Sequence, residues 1–486
     1  KIKKRYPHEG YHNCQVVVLL MGTILLPSFF FILLIEWIGR EMHMKKLNLL
    51  EGRIVPLLIK LTLPIIGTSF LEMAYALIDM LWIGKLGASS IAAVGVAGMF
   101  SWLSQGLAMI ATQGGQVKTG HSLGAGNQEA ATDYASSAIQ LGIIFALLFS
   151  FCTVVFSRFF IGLFGLSSQA TINQAINYLR ITCGLIIFNF LNIIMTGILN
   201  ASGDSQTPFQ CNSVGLLLNI ILDPFFIFVC NLGVVGAALA TVLAQAFVFL
   251  LFMRHNFKKN TLLKHISLKK VYSKSYYKNI LRIGFPLGLQ SMLFSVCSMV
   301  VAAFVAEFGD AAVAAQKVGT QVENISWCMA TGFQTSINAF ISQNYGAGKY
   351  DRVEKGYRTM LVFSILWGLV CTNLMVFFPH TIYGFFTNDV AVTQIGENYL
   401  RIVGLSETFM ILELMISGAF SGLGETIPPS ITSIVFTLGR IPVILLILNT
   451  FHLNGIWWVI SFSGIIKGLV NFIWFYKYKK RTLKEV

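Results

Sequence analysis

Twelve long apolar runs constrain this 486-residue chain more than any other feature. They lie at roughly 55–83, 90–114, 134–157, 176–200, 209–230, 233–253, 279–306, 312–342, 357–378, 396–422, 429–449 and 455–476, and a further apolar stretch covers about 16–38. A helix that crosses the hydrocarbon core needs roughly 20 predominantly apolar residues, and each of the twelve runs reaches that length. Hydrophobic residues make up 55% of the chain and charged residues 12%, half the charge density of ordinary soluble domains. A soluble protein, a disordered one and a peripheral protein with one anchor are excluded. An outer-membrane barrel is excluded too, because its short alternating segments do not give such runs.

The formal net charge is +14, which in a soluble chain would suggest nucleic acid. Here the placement of the charge argues for membrane orientation and against a nucleic-acid partner. The loops after runs 2, 6 and 8 and the C-terminal tail hold nineteen Lys and Arg, whereas the loops after runs 1, 3, 5, 7, 9 and 11 hold only Lys85 and Arg158. By the positive-inside rule both ends of the twelve-span unit face the cytoplasm, in a multi-pass protein of the cytoplasmic (inner) membrane. Residues 1–43 fit this pattern poorly, since basic residues flank their apolar stretch on both sides. Three readings stand for them: an upstream extension from a misplaced start, a dispensable leader, or a thirteenth helix. The eight Cys form no CxxC pair and mostly lie inside apolar runs, so they read as small buried hydrophobes rather than a disulfide framework or zinc site.

The two halves repeat each other. Asn177-Tyr-Leu-Arg180 recurs as Asn398-Tyr-Leu-Arg401, 221 residues on, and Gly203 recurs as Gly424 at the same offset. Leu123-Gly-Ala-Gly126 recurs as Tyr345-Gly-Ala-Gly348, and Pro64 as Pro286, both 222 residues on. Six spans per half keep both copies the same way up, an architecture of secondary transporters. The expected fold is an all-α polytopic membrane protein, twelve transmembrane helices in two six-helix repeats of like orientation, with an extra N-terminal apolar helix in doubt. Its parts are the extension 1–43, an N-terminal lobe 44–253, a basic linker 254–278, a C-terminal lobe 279–476 and a basic tail 477–486. The linker carries eight basic and no acidic residues. A solvated connection is the plain reading and contact with anionic lipid the other.

Several polar residues interrupt the runs. Asp79 lies in the first, and an ionised carboxylate in the apolar region costs several kcal/mol unless it binds a cation, takes a proton or faces water. An interfacial Asp is the structural alternative, since Gly84 and the loop follow closely. Glu72, Tyr75 and Asp79 fall at i, i+3 and i+7, one face of a helix. Asn219 and Asp223 are i, i+4 neighbours, and Pro224 frees a backbone carbonyl one turn back. A carboxylate, an amide oxygen and a loosened backbone suit a hard cation such as sodium. Ala237 and Thr241 repeat the i, i+4 spacing in the next run and face Asn219 and Asp223 across a short turn; for Thr241 helix packing is an equal reading. Two such carboxylates brought close hold a proton or a sodium ion and release it when water arrives from the other side. Pro64 offers a bend in span 1, functional or static. In the C-terminal half, Gln290 and Glu413 join Glu72 and Tyr75 as possible substrate-cavity residues, and Glu323 and Arg440 sit deep in runs 8 and 11.

The residues Ile78-Asp-Met-Leu-Trp-Ile-Gly84, Asn219-Ile-Ile-Leu-Asp223-Pro224, Gly203-Asp-Ser-Gln-Thr-Pro208 and Ser342-Gln-Asn-Tyr-Gly-Ala-Gly348, together with the repeat, resemble the bacterial branch of the MATE (multidrug and toxic-compound extrusion) transporters over roughly 45–476. The resemblance implies a secondary active antiporter that exports lipophilic organic cations in exchange for sodium ions or protons, acting as a monomer among membrane lipids and without a cofactor. It places the coupling cation at Asp79, Asn219, Asp223, Thr241 and the Ala237 carbonyl. Some relatives carry acidic residues in spans 7 and 10 that have no counterpart here, so coupling through the C-terminal half is not implied. A lipid-linked saccharide or lipid flippase of the same superfamily is the nearest alternative; it calls for several Arg or Lys in the cavity. A polytopic enzyme is disfavoured by the absence of HExxH, GxxxxGK[ST] and GxSxG motifs.

Overall fold

The computed structural model describes residues 46–166, 168–258, 266–387 and 389–482, with the side chains of 256–258 and 482 left aside; the segment 1–43 discussed above lies outside the described residues. Fifteen α-helices occupy the described chain. They are α1 (Ile54–Gly84), α2 (Ala88–Gly124), α3 (Gln128–Val155), α4 (Ser157–Gly162), α5 (Gln169–Gly184), α6 (Ile187–Ala201), α7 (Gln206–Pro224), α8 (Gly233–Lys258), α9 (Lys274–Ala306), α10 (Asp310–Gly346), α11 (Tyr350–Phe377), α12 (Pro379–Gly384), α13 (Val390–Leu423), α14 (Ile427–Leu438) and α15 (Arg440–Thr482). A π-helical turn, Phe225–Val229, joins α7 to α8. An all-helical solution follows from the apolar runs: in lipid every backbone polar group must be satisfied within the protein, and a helix does so within one segment.

By length and apolarity nine helical segments among the described residues can cross a membrane, ten when α5 and α6, bent by 44° at their junction, count as one span. Two more complete the twelve. The 55-residue segment Ile427–Arg481 breaks at His452, whose φ of 49° is non-helical, and supplies two. The last is α10, which is too polar to register by hydropathy because Gln316, Lys317, Gln321, Glu323 and Asn324 interrupt it. Among the described residues the chain is a twelve-helix, multi-pass membrane protein.

The repeat read from the sequence is also a repeat of backbone. Helices α2, α3 and α4 recur as α10, α11 and α12 with both ends displaced by 222 residues. Left-handed glycines recur at the joints: Gly126 (φ 75°) with Gly348 (φ 68°), and Gly203 (φ 86°) with Gly424 (φ 85°). The two non-glycine residues with positive φ, Asn231 (55°) and His452 (49°), are themselves 221 apart. Both lie in the turn between the last two spans of a lobe. The copies differ in where their helices break: α5 and α6 bend in the first lobe whereas α13 is continuous, and α7 runs on into the π-turn whereas its counterpart is divided at Gly439 between α14 and α15.

The lobes, α1–α8 and α9–α15, meet along α1, α2, α9 and α10. Close approach comes from glycine. A Cβ on Gly284 would lie 1.8 Å from the Ile110 carbonyl oxygen, and one on Gly114 would lie 2.2 Å from that of Ile280. At the repeat-related crossing, Thr62 and Ser336 stand in place of those glycines and hydrogen-bond to each other at 2.8 Å. Glycine and isoleucine exchange places in the same way: Gly332 abuts Ile66, and Gly288 abuts Ile110. At the basic end two bonds related by the repeat tie the lobes, His121 Nε2 with the Gly422 carbonyl at 2.8 Å and Gln343 Nε2 with the Ala201 carbonyl at 2.5 Å. Every inter-lobe hydrogen bond among the described residues lies between this end and Met73–Cys328. Beyond that level the lobes are joined by no hydrogen bond among the described residues.

A candidate cation site in the N-terminal lobe

Four elements of the first lobe bring polar atoms together: Tyr75 and Asp79 from α1, Tyr178 from α5, Asn219 and Asp223 from α7, and Thr241 from α8. Asn219 and Asp223 are fully buried. The i, i+4 spacing on α7 puts them in contact, and Asn219 Nδ2 donates to Asp223 Oδ1 at 3.2 Å. Asp79 lies within electrostatic reach of Asp223, and both carboxylates act on Tyr75 and Tyr178. Tyr75 sits beside Thr241.

The local backbone explains how α7 can carry this load. Pro224 lacks an N–H and leaves the Ile220 carbonyl without its helical donor. The chain then widens into the π-turn, closed by the Cys230 N–H bonding to the Phe225 carbonyl at 2.9 Å; such turns frequently mark functional sites. Gly236 on α8 packs on this turn so closely that a Cβ would lie 2.6 Å from the Phe226 carbonyl. That contact fixes α8, with Ala237 fully buried, against the end of α7.

What these atoms lack is as informative as what they have. Asp79 Oδ1, Asn219 Oδ1 and Asp223 Oδ2 are buried and without a hydrogen-bond partner among the described residues, and the neighbouring Tyr75 and Thr241 hydroxyls are buried with no partner beyond each other. A buried unpaired polar atom costs roughly 1–3 kcal/mol, more when charged. A convergence of oxygens with two carboxylates and no cationic side chain is a donor set for a small hard cation or a proton. The sequence reading named Asp79, Asn219, Asp223, Ala237 and Thr241; the fold brings the elements that carry them together. Tyr178 was missed, although its place in the repeated Asn-Tyr-Leu-Arg motif was visible.

The other sequence candidates fall elsewhere. Glu72 is accessible and stands by Cys328 of the opposite lobe, whose Sγ reaches the Ser69 carbonyl at 3.5 Å. Gln290 is partly buried with Oε1 unpartnered. Phe294 and Trp327 stack obliquely at 5.6 Å between ring centroids. Pro64 lies inside α1, which remains one helix across it, with the Thr68 hydroxyl bonded to the Pro64 carbonyl. Glu413 is committed to an ion pair inside the second lobe, 2.9 Å from Lys467 Nζ, both nearly fully buried.

The family model MatE matches the chain twice, over residues 64–225 and 286–446, which is most of both lobes and in the register of the repeat. The chain belongs to the MATE family of membrane transporters. Among curated proteins it is 27% identical to the probable multidrug resistance protein NorM of Thermotoga maritima over 441 residues, covering 88% of this chain and 93% of that protein. It is 24% identical to the multidrug export protein MepA of Staphylococcus aureus over 422 residues, covering 86% and 93%. Among solved structures, a transporter of the MOP superfamily from Pyrococcus furiosus superposes with a TM-score of 0.84 at 23% identity, covering 91% of this chain and 99% of that one. A MATE in the bent conformation superposes at 0.85, also at 23% identity and with the same coverage. These likenesses in structure establish the shared fold.

Proposed function

We propose that the protein is a secondary active antiporter that exports lipophilic organic cations across the cytoplasmic membrane in exchange for sodium ions or protons bound at Asp79 and Asp223. The observation that carries this reading is the pair of interacting carboxylates in the first lobe, each with one buried oxygen that has no hydrogen-bond partner among the described residues. Two carboxylates in a dry interior are stable together only when a cation compensates them. A site with that property takes up a cation when one side is open and yields it when water enters, which is the requirement for exchange by alternating access.

In this reading the basic end of the molecule is cytoplasmic, following the positive-inside rule, and a cleft between the lobes opens outward. The inter-lobe bonds of His121 and Gln343 then close the cytoplasmic side. Asp79 and Asp223 hold the coupling cation, Asn219 orients the Asp223 carboxylate, Thr241 and the Ala237 carbonyl complete the oxygen set, and Tyr75 borders the site. The names of the relatives, a multidrug resistance protein and a multidrug export protein, support drug-like substrates. Glu72, accessible at the level where the lobes separate, is placed to meet a cationic substrate beside the Phe294–Trp327 pair, for which cation–π attraction is the expected contact.

The test is efflux of a fluorescent lipophilic cation from energised inverted vesicles, with and without a sodium gradient, for the unmodified protein and for Asp79→Asn and Asp223→Asn. Loss in both variants at normal expression is expected, and dependence on the gradient names the ion. Undiminished efflux in both would refute the assignment. Absence of efflux by the unmodified protein would move the reading to a flippase.

A further inference from the structure

The internal repeat allows each residue of the cation site to be matched with its counterpart in the second lobe. The offset is 222 in the first three spans of each lobe and 221 in the next two, as α2–α4 with α10–α12 and then Gly203/Gly424 and the positive-φ pair Asn231/His452 show. It becomes 222 beyond the turn, where His452-Leu-Asn-Gly455 has one residue more than Asn231-Leu-Gly233. Asp79 and Asp223 then correspond to Val301 and Ile444, both buried and apolar. Asn219 corresponds to Arg440, Thr241 to Ser463, and Tyr178 to Tyr399. The side chains at these positions are bonded to one another: Arg440 Nε donates to Ser463 Oγ at 2.6 Å. Arg440 is only 6% exposed, and its second terminal nitrogen, Nη2, is buried without a partner. Glu413 and Glu323 lie within its electrostatic reach.

We propose that the C-terminal lobe holds a pseudosymmetric cation site filled by its own side chain. In this site the Arg440 guanidinium stands at the position of Asn219, and removing it opens a pocket for a small exogenous monovalent cation of guanidinium shape. The inference rests on the coupling assignment above only for the identity of the counterpart. Its chemistry stands on the second lobe alone. The charges around Arg440 are those that a cation site needs. Glu323 accepts a short hydrogen bond from Tyr399. The Lys467–Glu413 pair completes the set, and it replaces a neutral contact of the first lobe at the same two positions, Asn192 Nδ2 donating to the Gln245 carbonyl at 2.9 Å. Where the first lobe has two carboxylates and no cationic side chain, the second has acids compensated by tethered cations. Its cation cannot leave, so this lobe carries no exchangeable ion.

The experiment is thermal unfolding of the purified full-length protein as Arg440→Ala and Arg440→Gln, titrated with millimolar methylguanidinium chloride against choline chloride at equal ionic strength. A ligand that binds only the folded state raises the midpoint with a saturable concentration dependence. The expected result is a lowered midpoint for both variants that methylguanidinium, and not choline, largely restores, with no response from the unmodified protein. Folded variants that respond equally to both salts would overturn the proposal. If neither neutral variant accumulates, Arg440→Lys decides: a retained positive charge is expected to restore yield and a thermal midpoint near that of the unmodified protein, and a lysine variant that also fails to accumulate would contradict a charge-filling role. The thermal readout does not depend on transport, so failure of the Asp79–Asp223 assignment and failure of this one are told apart.

Discussion

The two lobes share a backbone and differ in where their charges are compensated. The first buries Asp79 and Asp223 with unsatisfied oxygens and no cationic partner. The second buries Arg440 and Lys467 near Glu323 and Glu413, with Lys467 and Glu413 in direct contact. In the proposed mechanism one half of the duplicated fold keeps its cation external and exchangeable, and the other has cations built into its side chains. The lesson is energetic. A buried charge must be neutralised by something, and a mobile ion and a tethered one satisfy that demand with different functional consequences.

The largest expected effect comes from breaking the second lobe's compensation. Lys467→Met leaves Glu413 buried and unpaired, for which a loss of about 3–5 kcal/mol is expected. It would be read as a fall in thermal midpoint and in yield. The double variant Lys467→Met with Glu413→Gln should recover most of that loss, because a neutral pair no longer carries an uncompensated charge; no recovery would mean that the pair has a role beyond charge balance. In the first lobe the opposite is expected: Asp223→Asn removes a charge that lacks a partner, so transport falls to background while the folded protein is at least as heat-stable as before.

A second contrast lies at the lobe interface. Gly284→Ala places a Cβ against the Ile110 carbonyl, where backbone must move, and overpacking of this kind costs about 1–3 kcal/mol. Thr62, its counterpart, faces Ser336, and Thr62→Ala removes only a hydrogen bond worth about 1 kcal/mol. Cysteine accessibility at the basic end should rise in the first variant and change little in the second. The smallest effects are expected from His121→Ala and Gln343→Ala, each costing one inter-lobe bond, about 1 kcal/mol. Equal changes in gate accessibility would confirm that the repeat-related bonds are equivalent.

Much of this was legible in the sequence, for physical reasons. Long apolar runs leave helices as the one available structure, the placement of Lys and Arg sets their alternation, and matched motifs such as Asn177-Tyr-Leu-Arg180 reveal the duplication. Asp79, Asn219 and Asp223 stood out because polar groups in apolar runs are costly. The partners of Arg440 and Glu413 did not, since Ser463 and Lys467 lie 23 and 54 residues further along the chain, and only packing of spans 10, 11 and 12 joins them. Glu413 read as a cavity contact for that reason. Yet one signal was available: carrying the 221-residue offset from Gly203 and Gly424 to Asn219 lands on Arg440.

The central claim is that exchangeable cation binding belongs to the first lobe alone. The most direct test measures it on purified protein, by sodium-22 binding and by proton release in weakly buffered solution, for the unmodified chain, the Asp79→Asn/Asp223→Asn double variant and Arg440→Lys. The account predicts exchange in the first, none in the second and undiminished exchange in the third. Exchange that persists without both aspartates, or disappears with lysine at position 440, would contradict it.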